Sequence, residues 1–438
     1  MSPPRLRVLS VSPLDYDRAW NNRDHNLLRV FRARGCEVTH LYKALNRSAR
    51  PLDLLRDIVT LGVRTRDQGG LRLVRVDPFF NYYAGYRARS DAEAAERPRP
   101  SLRRALVVLL SPLAFVRDLF VVPCLLAVAL AQPGGAYDAC VGFGPWGALV
   151  GWWLRRLGRV RVLVYEDRDY EPGLLPDRFR RGYTEWVDRF VVPRSDLVFS
   201  VGERLAALRR RQGARAVQVA PNGVSAERFA AARGSGRPGP TLLYTGNLLP
   251  WCGLEVALRA LPALAGRFPE VHLRVVGDGP PGERARLATL ARDLGVEARV
   301  TWLGSRPHAE LPGLMEGSAI GLANSEPVPF RSYACPLKVL EYMAAGLPVL
   351  GTVDTETEAL LARFECGLAV AYQPAALAAA AERLLGDPEL HARLRANGIR
   401  HSAELTWERV IGEELDRIEQ RVAAGRGSGP RTTRTGAG

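Results

Sequence analysis

The chain has 438 residues, of which 47% are hydrophobic and 24% are charged. This composition is typical of a globular protein and excludes a wholly disordered or fibrous chain. The net charge of +15 is uneven: residues 1–250 hold 40 lysines and arginines against 23 acidic residues, whereas residues 251–438 hold 21 against 23. The first half is therefore expected to meet an anionic partner such as membrane headgroups, an acidic glycan or nucleic acid.

Cysteine spacing and the N-terminus bear on the cellular compartment. The 6 cysteines are scattered, with no CxxC pair and no histidine at metal-ligand spacing, so we expect a reduced cytoplasmic chain without a metal site. The N-terminus leads directly into an apolar segment at residues 8–11, which predicts no signal peptide. The apolar stretch 105–131 contains prolines and the pair Arg117-Asp118, and predicts buried helices, with an interfacial membrane patch as the alternative.

Short apolar runs alternate with helical periodicity along the chain, which is typical of α/β units with parallel sheets. A helix over residues 19–34 follows the first strand. In the first half, strands are predicted at 6–12, 37–42, 71–76, 137–143, 161–166, 197–201 and 217–220. In the second half, they are predicted at 241–245, 272–276, 299–303, 319–323 and 348–351.

A Gly/Pro-rich segment at 230–240 lacks bulky apolar residues and predicts a linker. It divides the chain into two doubly wound α/β domains, residues 1–229 and 241–402, with a cleft between the carboxyl edges of their sheets. A helix over 403–422 is expected to pack back on the first domain. The Gly/Thr/Arg-rich tail, 423–438, predicts disorder.

The segment 334–350 reads ACPLKVLEYMAAGLPVL, with Pro336 and Gly346 suited to the start and end of a short helix. Lys338 and Glu341 lie three residues apart on one face of that helix. A cation near a helix N-terminus is well placed only if an anion such as phosphate binds there, and the carboxylate could accept hydrogen bonds from a ribose diol. The alternative is a surface ion pair. Apart from Lys43, Lys338 is the only lysine among 61 cationic residues.

This segment resembles the donor motif of the family 4 glycosyltransferases, in the variant P-x-K-x-x-E-Y-M-A-x-G-x-P-V. Further blocks resemble that family in the same order over about residues 195–410. They are SDLVFS at 195–200, PNGV at 221–224, YTGNLLPWCGLE at 244–255, VVGDGP at 275–280, VTWLG at 300–304 and TW at 406–407.

The resemblance implies a GT-B fold, in which two Rossmann-like domains face each other across the cleft and the second domain holds the sugar donor. It implies transfer with retention of configuration from a UDP- or GDP-type donor, without a metal or other cofactor. Glu341 would bind the ribose, and the backbone at 304–306 would face the base. The donor-binding residues carried over or inferred are Gly246, Asn247, Gly277, Asp278, Gly304, Arg306, Arg331, Lys338 and Glu341.

The chain departs from the family in the loop after residue 245. Asn247 and Cys252 stand where family members have arginine and lysine. A leaving diphosphate needs a cation, so Lys338 and Arg331 are the predicted replacements. The family also has a glutamate eight residues before the position of Glu341, where this chain has Tyr333.

In the first domain, carboxylates follow the apolar strand that is predicted at 161–166. Glu166 and Asp167 are predicted to act with Lys338 in catalysis by supporting an oxocarbenium ion or an acceptor hydroxyl. The alternative is a turn ion-paired with Arg161 and Arg168. Acceptor-binding candidates are Asn21, Asn22, Arg23, Trp146 and Asp169.

The remaining sequence features are interpreted without a catalytic role, or have a structural alternative. Core packing is the alternative for Trp146. No histidine is assigned a role, because none sits in a recognisable constellation. The run 209–211, three arginines, is interpreted as a solvated helix end.

We therefore expect a retaining glycosyltransferase that acts on a glycan or lipid-linked acceptor in cell-surface polysaccharide or glycoconjugate synthesis. Its expected location is cytoplasmic, with peripheral contact to the anionic inner face of the membrane. The alternatives are a non-catalytic GT-B scaffold of a polysaccharide assembly complex and a sugar-nucleotide epimerase. Nucleic-acid binding is disfavoured, because no recognisable module accompanies the charge.

Overall fold

The computed structural model describes residues 6–13, 15–17, 23–44, 61–78, 119–175, 178–234, 239–280 and 282–427. They form two α/β domains, each built on one largely parallel sheet, which confirms the predicted fold class.

The first sheet has the order β3-β4-β2-β1-β5-β6-β7-β8. All its neighbours are parallel except β3 and β4. The apolar runs form the interior strands because helices cover both faces of the sheet. Its strands are β1 (Arg7–Ser12), β2 (Glu37–Lys43), β3 (Gly62–Gln68), β4 (Leu71–Asp77), β5 (Tyr137–Phe143), β6 (Val160–Asp167), β7 (Leu197–Ser200) and β8 (Val217–Val219).

The second sheet is wholly parallel, with the order β11-β10-β9-β12-β13-β14. The order reverses direction between β9 and β12, which is where doubly wound sheets open a ligand crevice. Its strands are β9 (Thr241–Thr245), β10 (His272–Val276), β11 (Val300–Gly304), β12 (Ile320–Ala323), β13 (Val349–Thr352) and β14 (Gly367–Val370).

Helices join these strands. In the first domain they are α1 (Arg23–Ala33), α2 (Gly144–Arg156), α3 (Arg178–Val191), α4 (Glu203–Arg211) and α5 (Ala226–Ala230), and residues 119–130 are also helical. In the second they are α6 (Leu254–Arg267), α7 (Glu283–Asp293), α8 (Leu311–Met315), α9 (Pro329–Ser332), α10 (Leu337–Ala345), α11 (Glu356–Phe364), α12 (Pro374–Gly386) and α13 (Pro388–Ser402).

The last helix, α14 (Trp407–Gly427), returns to the first domain and packs against α1 and β6. It starts where Val224 pairs with Thr406, so the chain passes between the domains at that bridge. The helix continues five residues past 422, into the segment that was expected to be a disordered tail. Residues 235–238 of the predicted linker lie outside the described residues.

The apolar stretch 105–131 is described only from residue 119 onward. Its described part is helical and buries Val121, Leu125 and Val128 beneath the first sheet. Across the described ranges, no helix combines the length and the apolar character that crossing a membrane requires.

Candidate active site

Three neighbouring strands of the second sheet end in glycines that adopt positive φ: Gly246 at 130°, Gly277 at 143° and Gly304 at 69°. Gly246 N–H donates to Val276 O (2.9 Å), and Gly277 N–H donates to Gly304 O (2.8 Å). A Cβ on Gly277 would overlap the carbonyl of Gly246. Only glycine fits this arrangement, and it lets a ligand approach the backbone at the carboxyl edge of β9 and β10.

The two polar residues predicted in these loops are exposed. Asp278 accepts a hydrogen bond from Gly279 N–H (2.9 Å), which holds its own turn. Asn247 accepts at its backbone oxygen from the hydroxyl of Tyr244 (2.6 Å). Both residues therefore lie exposed in the loops that follow β9 and β10 at the glycine edge of the sheet.

Helix α10 is anchored against this edge by Tyr342. The hydroxyl of Tyr342 accepts from Thr245 N–H (2.8 Å), and Gly321 leaves room for its ring. Pro336 precedes the first turn and Gly346 ends the helix at a φ of 74°, as their sequence positions predict. The first turn of α10 is thereby held beside the loop after β9.

Lys338 extends from that first turn to the loop after β9. Its Nζ lies 3.9 Å from the ring centroid of Tyr244 and 3.1 Å from the point that a Cβ on Gly246 would occupy. Within the described residues, the ammonium makes no hydrogen bond or ion pair. Burial lowers the pKa of Lys338 to about 8. A cation thus lies at the loop in which Asn247 and Cys252 stand where the family 4 glycosyltransferases that the sequence resembles have arginine and lysine.

Glu341 is buried on the same helix and is 8% exposed. Its Oε1 accepts from Nε2 of His308 at 2.8 Å. His308 lies in the loop after β11, close to Gly304 and to the exposed Arg306. The predicted ribose-binding and base-facing positions are therefore linked through a histidine to which sequence reasoning gave no role. Its position four residues after Gly304 was the available signal.

A second group of polar atoms lies where the loops after β9 and β12 meet. Glu326 N–H donates to Trp251 O (2.8 Å), and the rings of Trp251 and Phe330 are 5.6 Å apart. Nε of Arg331, Nε1 of Trp251 and Oδ1 of Asn324 are buried with no hydrogen-bond partner in the described part of the chain. Unpaired buried polar atoms are costly, so these are candidates for ligand contact.

A cavity of about 1140 Å³ opens between the domains on the side of His308. Its walls come from α1, α5, α14 and the loop after β11. The charged and titratable residues that line it are His25, Arg29, Arg228, Arg306, His308 and Glu408. Glu408 already pairs with Arg29 at 2.6 Å. The remaining arginines give the cavity a cationic wall suited to an anionic ligand.

The predicted role of Glu166 does not agree with the structure. Its carboxylate pairs with Arg23, which also pairs with Glu414 and donates to Pro221 O (2.8 Å). All three charged side chains are at most 2% exposed, and burial raises the pKa of Glu166. Glu166 and Arg23, the latter predicted to bind acceptor, instead join β6, α1 and α14.

Asp167 is likewise enclosed. It accepts from Nε and Nη2 of Arg209, each at 2.8 Å, and from Ser200 Oγ at 2.8 Å. Arg209 also pairs with Asp188, and the arginine and both aspartates are 0% exposed. The predicted catalytic role for Asp167 is therefore corrected to a structural one. The run of arginines at 209–211 predicted a solvated helix end, and this prediction is wrong for Arg209 because its side chain is buried.

The remaining first-domain candidates are dispersed. Asp169 is exposed on the loop after β6. Trp146 is partly buried, with its ring 5.8 Å from that of Tyr183, and it does not line the large cavity. Asn21 and Asn22 lie outside the described residues. The second-domain candidates therefore lie on the loops after β9, β10 and β11 and on α9 and α10, whereas the described first-domain candidates do not form one open site.

The domains touch across the cleft beside this site. The ring centroid of Tyr333 lies 5.3 Å from that of Tyr170 in the first domain. Gly173 lies against Phe330, leaving no room for a larger residue. Among the described residues, no group of three or more histidine, cysteine, aspartate or glutamate side chains could hold a metal ion.

Comparison with known proteins finds relatives of the second domain in particular. Residues 239–387 match the family model described as glycosyl transferases group 1. The chain is 32% identical over 169 residues to D-inositol 3-phosphate glycosyltransferase of Corynebacterium glutamicum, covering 37% of this chain and 39% of that protein. The protein of the same name from Nocardiopsis dassonvillei is 28% identical over 289 residues, 62% and 65% of the two chains. The chain thus spans about two fifths of the first of these relatives.

Solved structures resemble the whole chain in fold. Sucrose-phosphate synthase from Thermosynechococcus elongatus has a TM-score of 0.70 at 20% identity, covering 96% of this chain and 100% of that one. Anabaena Alr3699/HepE in complex with UDP has a TM-score of 0.63 at 17% identity, covering 95% and 100%. The chain therefore has the GT-B fold, and residues 239–387 in its second domain are similar to the glycosyl transferases group 1.

Proposed function

We propose that the whole chain is a retaining glycosyltransferase that moves a sugar from a nucleoside diphosphate to a hydroxyl of a glycan or lipid-linked acceptor. The single observation that carries the proposal is the ammonium of Lys338 at the glycine edge of the second sheet, where no carboxylate of the described residues pairs with it. Glu341 lies on the same helix three residues further on, and its Oε1 is hydrogen-bonded to His308 Nε2 at 2.8 Å.

In the proposed reaction, the bond between the anomeric carbon and the donor phosphate oxygen breaks while the acceptor oxygen bonds to the same carbon. The acceptor proton passes to the departing phosphate oxygen, so no further base is needed. Lys338 and the amides at Gly246 stabilise the negative charge that develops on the diphosphate. Arg331, whose buried Nε has no hydrogen-bond partner among the described residues, is the second proposed contact with the donor.

The acceptor and location complete the proposal. Arg228, on the first-domain wall of the cavity, supports an acceptor that carries negative charge. Relatives are named for inositol phosphate, and one structural neighbour holds UDP, which favours a UDP- or GDP-type donor and a phosphorylated or lipid-linked acceptor. We place the reaction at the cytoplasmic face of a membrane, in cell-surface polysaccharide or glycoconjugate synthesis.

The experiment is a thermal-shift panel of UDP-, GDP- and TDP-sugars, followed by turnover with the donor that binds. Binding raises the apparent unfolding temperature by mass action. Glu341→Ala and Lys338→Met should remove turnover, whereas Arg267→Met, an exposed change in the same domain, should not. A metal chelator should leave turnover unchanged. Full activity in both site variants contradicts the proposal.

A non-catalytic scaffold remains the second candidate, because Asn247 and Cys252 replace the family's cations in the first loop. The same panel separates the two functions. A scaffold would bind no sugar nucleotide and hydrolyse none. An epimerase would convert a donor into its stereoisomer in the absence of any acceptor.

A further inference from the structure

Helix α3 carries a stripe of aromatic side chains on its outer face. Phe179, Tyr183, Trp186 and Phe190 follow at intervals of four, three and four residues, which aligns them along one side of a helix. Phe179 is 57% and Trp186 is 66% exposed. The inner side of the same helix is already packed, since Val187 is buried. The exposed rings are therefore not needed for the core.

The neighbouring helix α2 extends this stripe. The ring of Trp152 lies 4.9 Å from that of Phe190, and Trp153 lies 4.7 Å from Trp152. Trp153 is 43% exposed, and Leu157 just beyond the helix is 53% exposed. We call the four exposed side chains Trp153, Leu157, Phe179 and Trp186 the aromatic face. Clustered exposed groups of this size mark an interaction surface.

Arginines border the aromatic face. Arg156, Arg178, Arg189 and Arg194 are exposed, and none of them makes an ion pair within the described ranges. Arg194 lies 4.0 Å over the ring of Phe190. A second copy of this chain on a two-fold axis would bring these like charges together, which disfavours self-association. A surface with aromatic rings in the middle and arginines at its border suits the headgroup region of an anionic bilayer.

We propose that the aromatic face docks the first domain onto an anionic lipid bilayer. Trp153 and Trp186 enter the headgroup region, and the bordering arginines contact lipid phosphates. This proposal extends the proposed function. Only the statement that the acceptor lies in the bilayer rests on that function. Phe179 is six residues from Gly173, which touches the second domain at the cleft, so a bilayer-bound acceptor would lie within about 20 Å of the cleft.

The test is flotation with vesicles of phosphatidylglycerol and phosphatidylcholine, without donor or acceptor. Trp153→Ser and Trp186→Ser should each weaken binding about tenfold. Val63→Ser, which changes a side chain that is 45% exposed on β3, is the matched control and should bind as the unchanged protein does. Circular dichroism checks that each variant is folded.

Charge is tested separately. Arg178→Gln with Arg189→Gln should weaken binding to the anionic vesicles about fivefold for each arginine and leave binding to pure phosphatidylcholine unchanged. Added salt should weaken binding of the unchanged protein.

Failure of the unchanged protein to float, or equal flotation of the tryptophan variants, would overturn the docking proposal. So would a dimer that Trp186→Ser converts to monomer. Donor binding by the tryptophan variants should equal that of the unchanged protein. If no donor binds but flotation behaves as stated, the proposed function fails and the docking proposal stands.

Discussion

The cations that are wholly or partly buried in the two domains differ in their partners. In the first domain, Arg23 contacts Glu166 and Glu414, and Arg209 contacts Asp167 and Asp188. In the second domain, Lys338 lies against an aromatic ring and makes no ion pair among the described residues. Both kinds of site lie near the carboxyl end of a strand in a parallel sheet: Glu166 and Asp167 end β6, and Lys338 lies beside the loop after β9.

The difference shows how to separate structural from functional charge. A buried cation that meets its own carboxylates is satisfied, and removing it leaves unpaired charges in the interior. A cation kept partly from water with no carboxylate retains its capacity to bind an anion. Its cost is visible in the pKa of Lys338, which burial lowers to about 8. The predictions below test this distinction, beginning with the largest effect.

Arg209→Met should lower the free energy of unfolding by about 3–5 kcal/mol, because Asp167 and Asp188 are left without their cation. Chemical denaturation measures this. Arg210→Met, at the adjacent exposed position, is the control and should change stability by about 0.5 kcal/mol at most. Similar values for the two variants would show that the buried ion cluster does not stabilise the first domain.

Lys338→Met should have the opposite effect: a loss of activity without a loss of stability. We expect kcat/KM to fall about 100- to 1000-fold, as it does when one group that stabilises a developing negative charge is removed. The unfolding temperature should stay the same or rise, since a partly buried charge is replaced by an apolar side chain. A variant that loses stability but keeps its turnover would assign Lys338 to the structure.

The pH dependence of donor binding sharpens the same contrast. Because the pKa of Lys338 is lowered to about 8, its ammonium is charged below that pH and lost as pH rises through it. Affinity for the nucleoside diphosphate should therefore decrease above about pH 8. In Lys338→Arg the cation persists, so any remaining affinity should not change over that range. Titration calorimetry at several pH values measures both.

Substitution of His308 is expected to have the smallest effect, a loss of donor affinity. His308→Ala removes the hydrogen bond to Glu341 and should weaken donor binding about tenfold, which corresponds to one hydrogen bond to a charged group. His308→Gln can still donate and should restore much of the affinity. If glutamine and alanine bind the donor equally weakly, His308 does not act through Glu341.

Much of the fold follows from local sequence patterns. Alternating apolar runs and helices predict the interior strands, and Pro336 with Gly346 predicts the bounds of α10. The edge strands β3 (Gly62–Gln68) and β14 (Gly367–Val370) were not predicted. Most of β3 is exposed and polar, and β14 has only 4 residues, so neither produces an apolar alternation that stands out.

The site also has relations that local sequence predicts and relations that it does not. Lys338 and Glu341 occupy one helix turn, so their relation is readable from spacing. Partners that are distant in sequence are not readable: Arg23 is separated by 143 residues from Glu166, and His308 by 33 residues from Glu341. A carboxylate at a strand end has the same sequence signature whether it faces a cleft or a buried arginine. Only tertiary packing distinguished these cases for Glu166 and Asp167.

The central claim is that Lys338 supplies the missing positive charge for the donor diphosphate. Comparing the binding of nucleoside diphosphate and nucleoside monophosphate to the unchanged protein and to Lys338→Met tests it most directly. We predict that the unchanged protein prefers the diphosphate about tenfold or more and that the variant loses this preference. An equal preference in both proteins would contradict the claim.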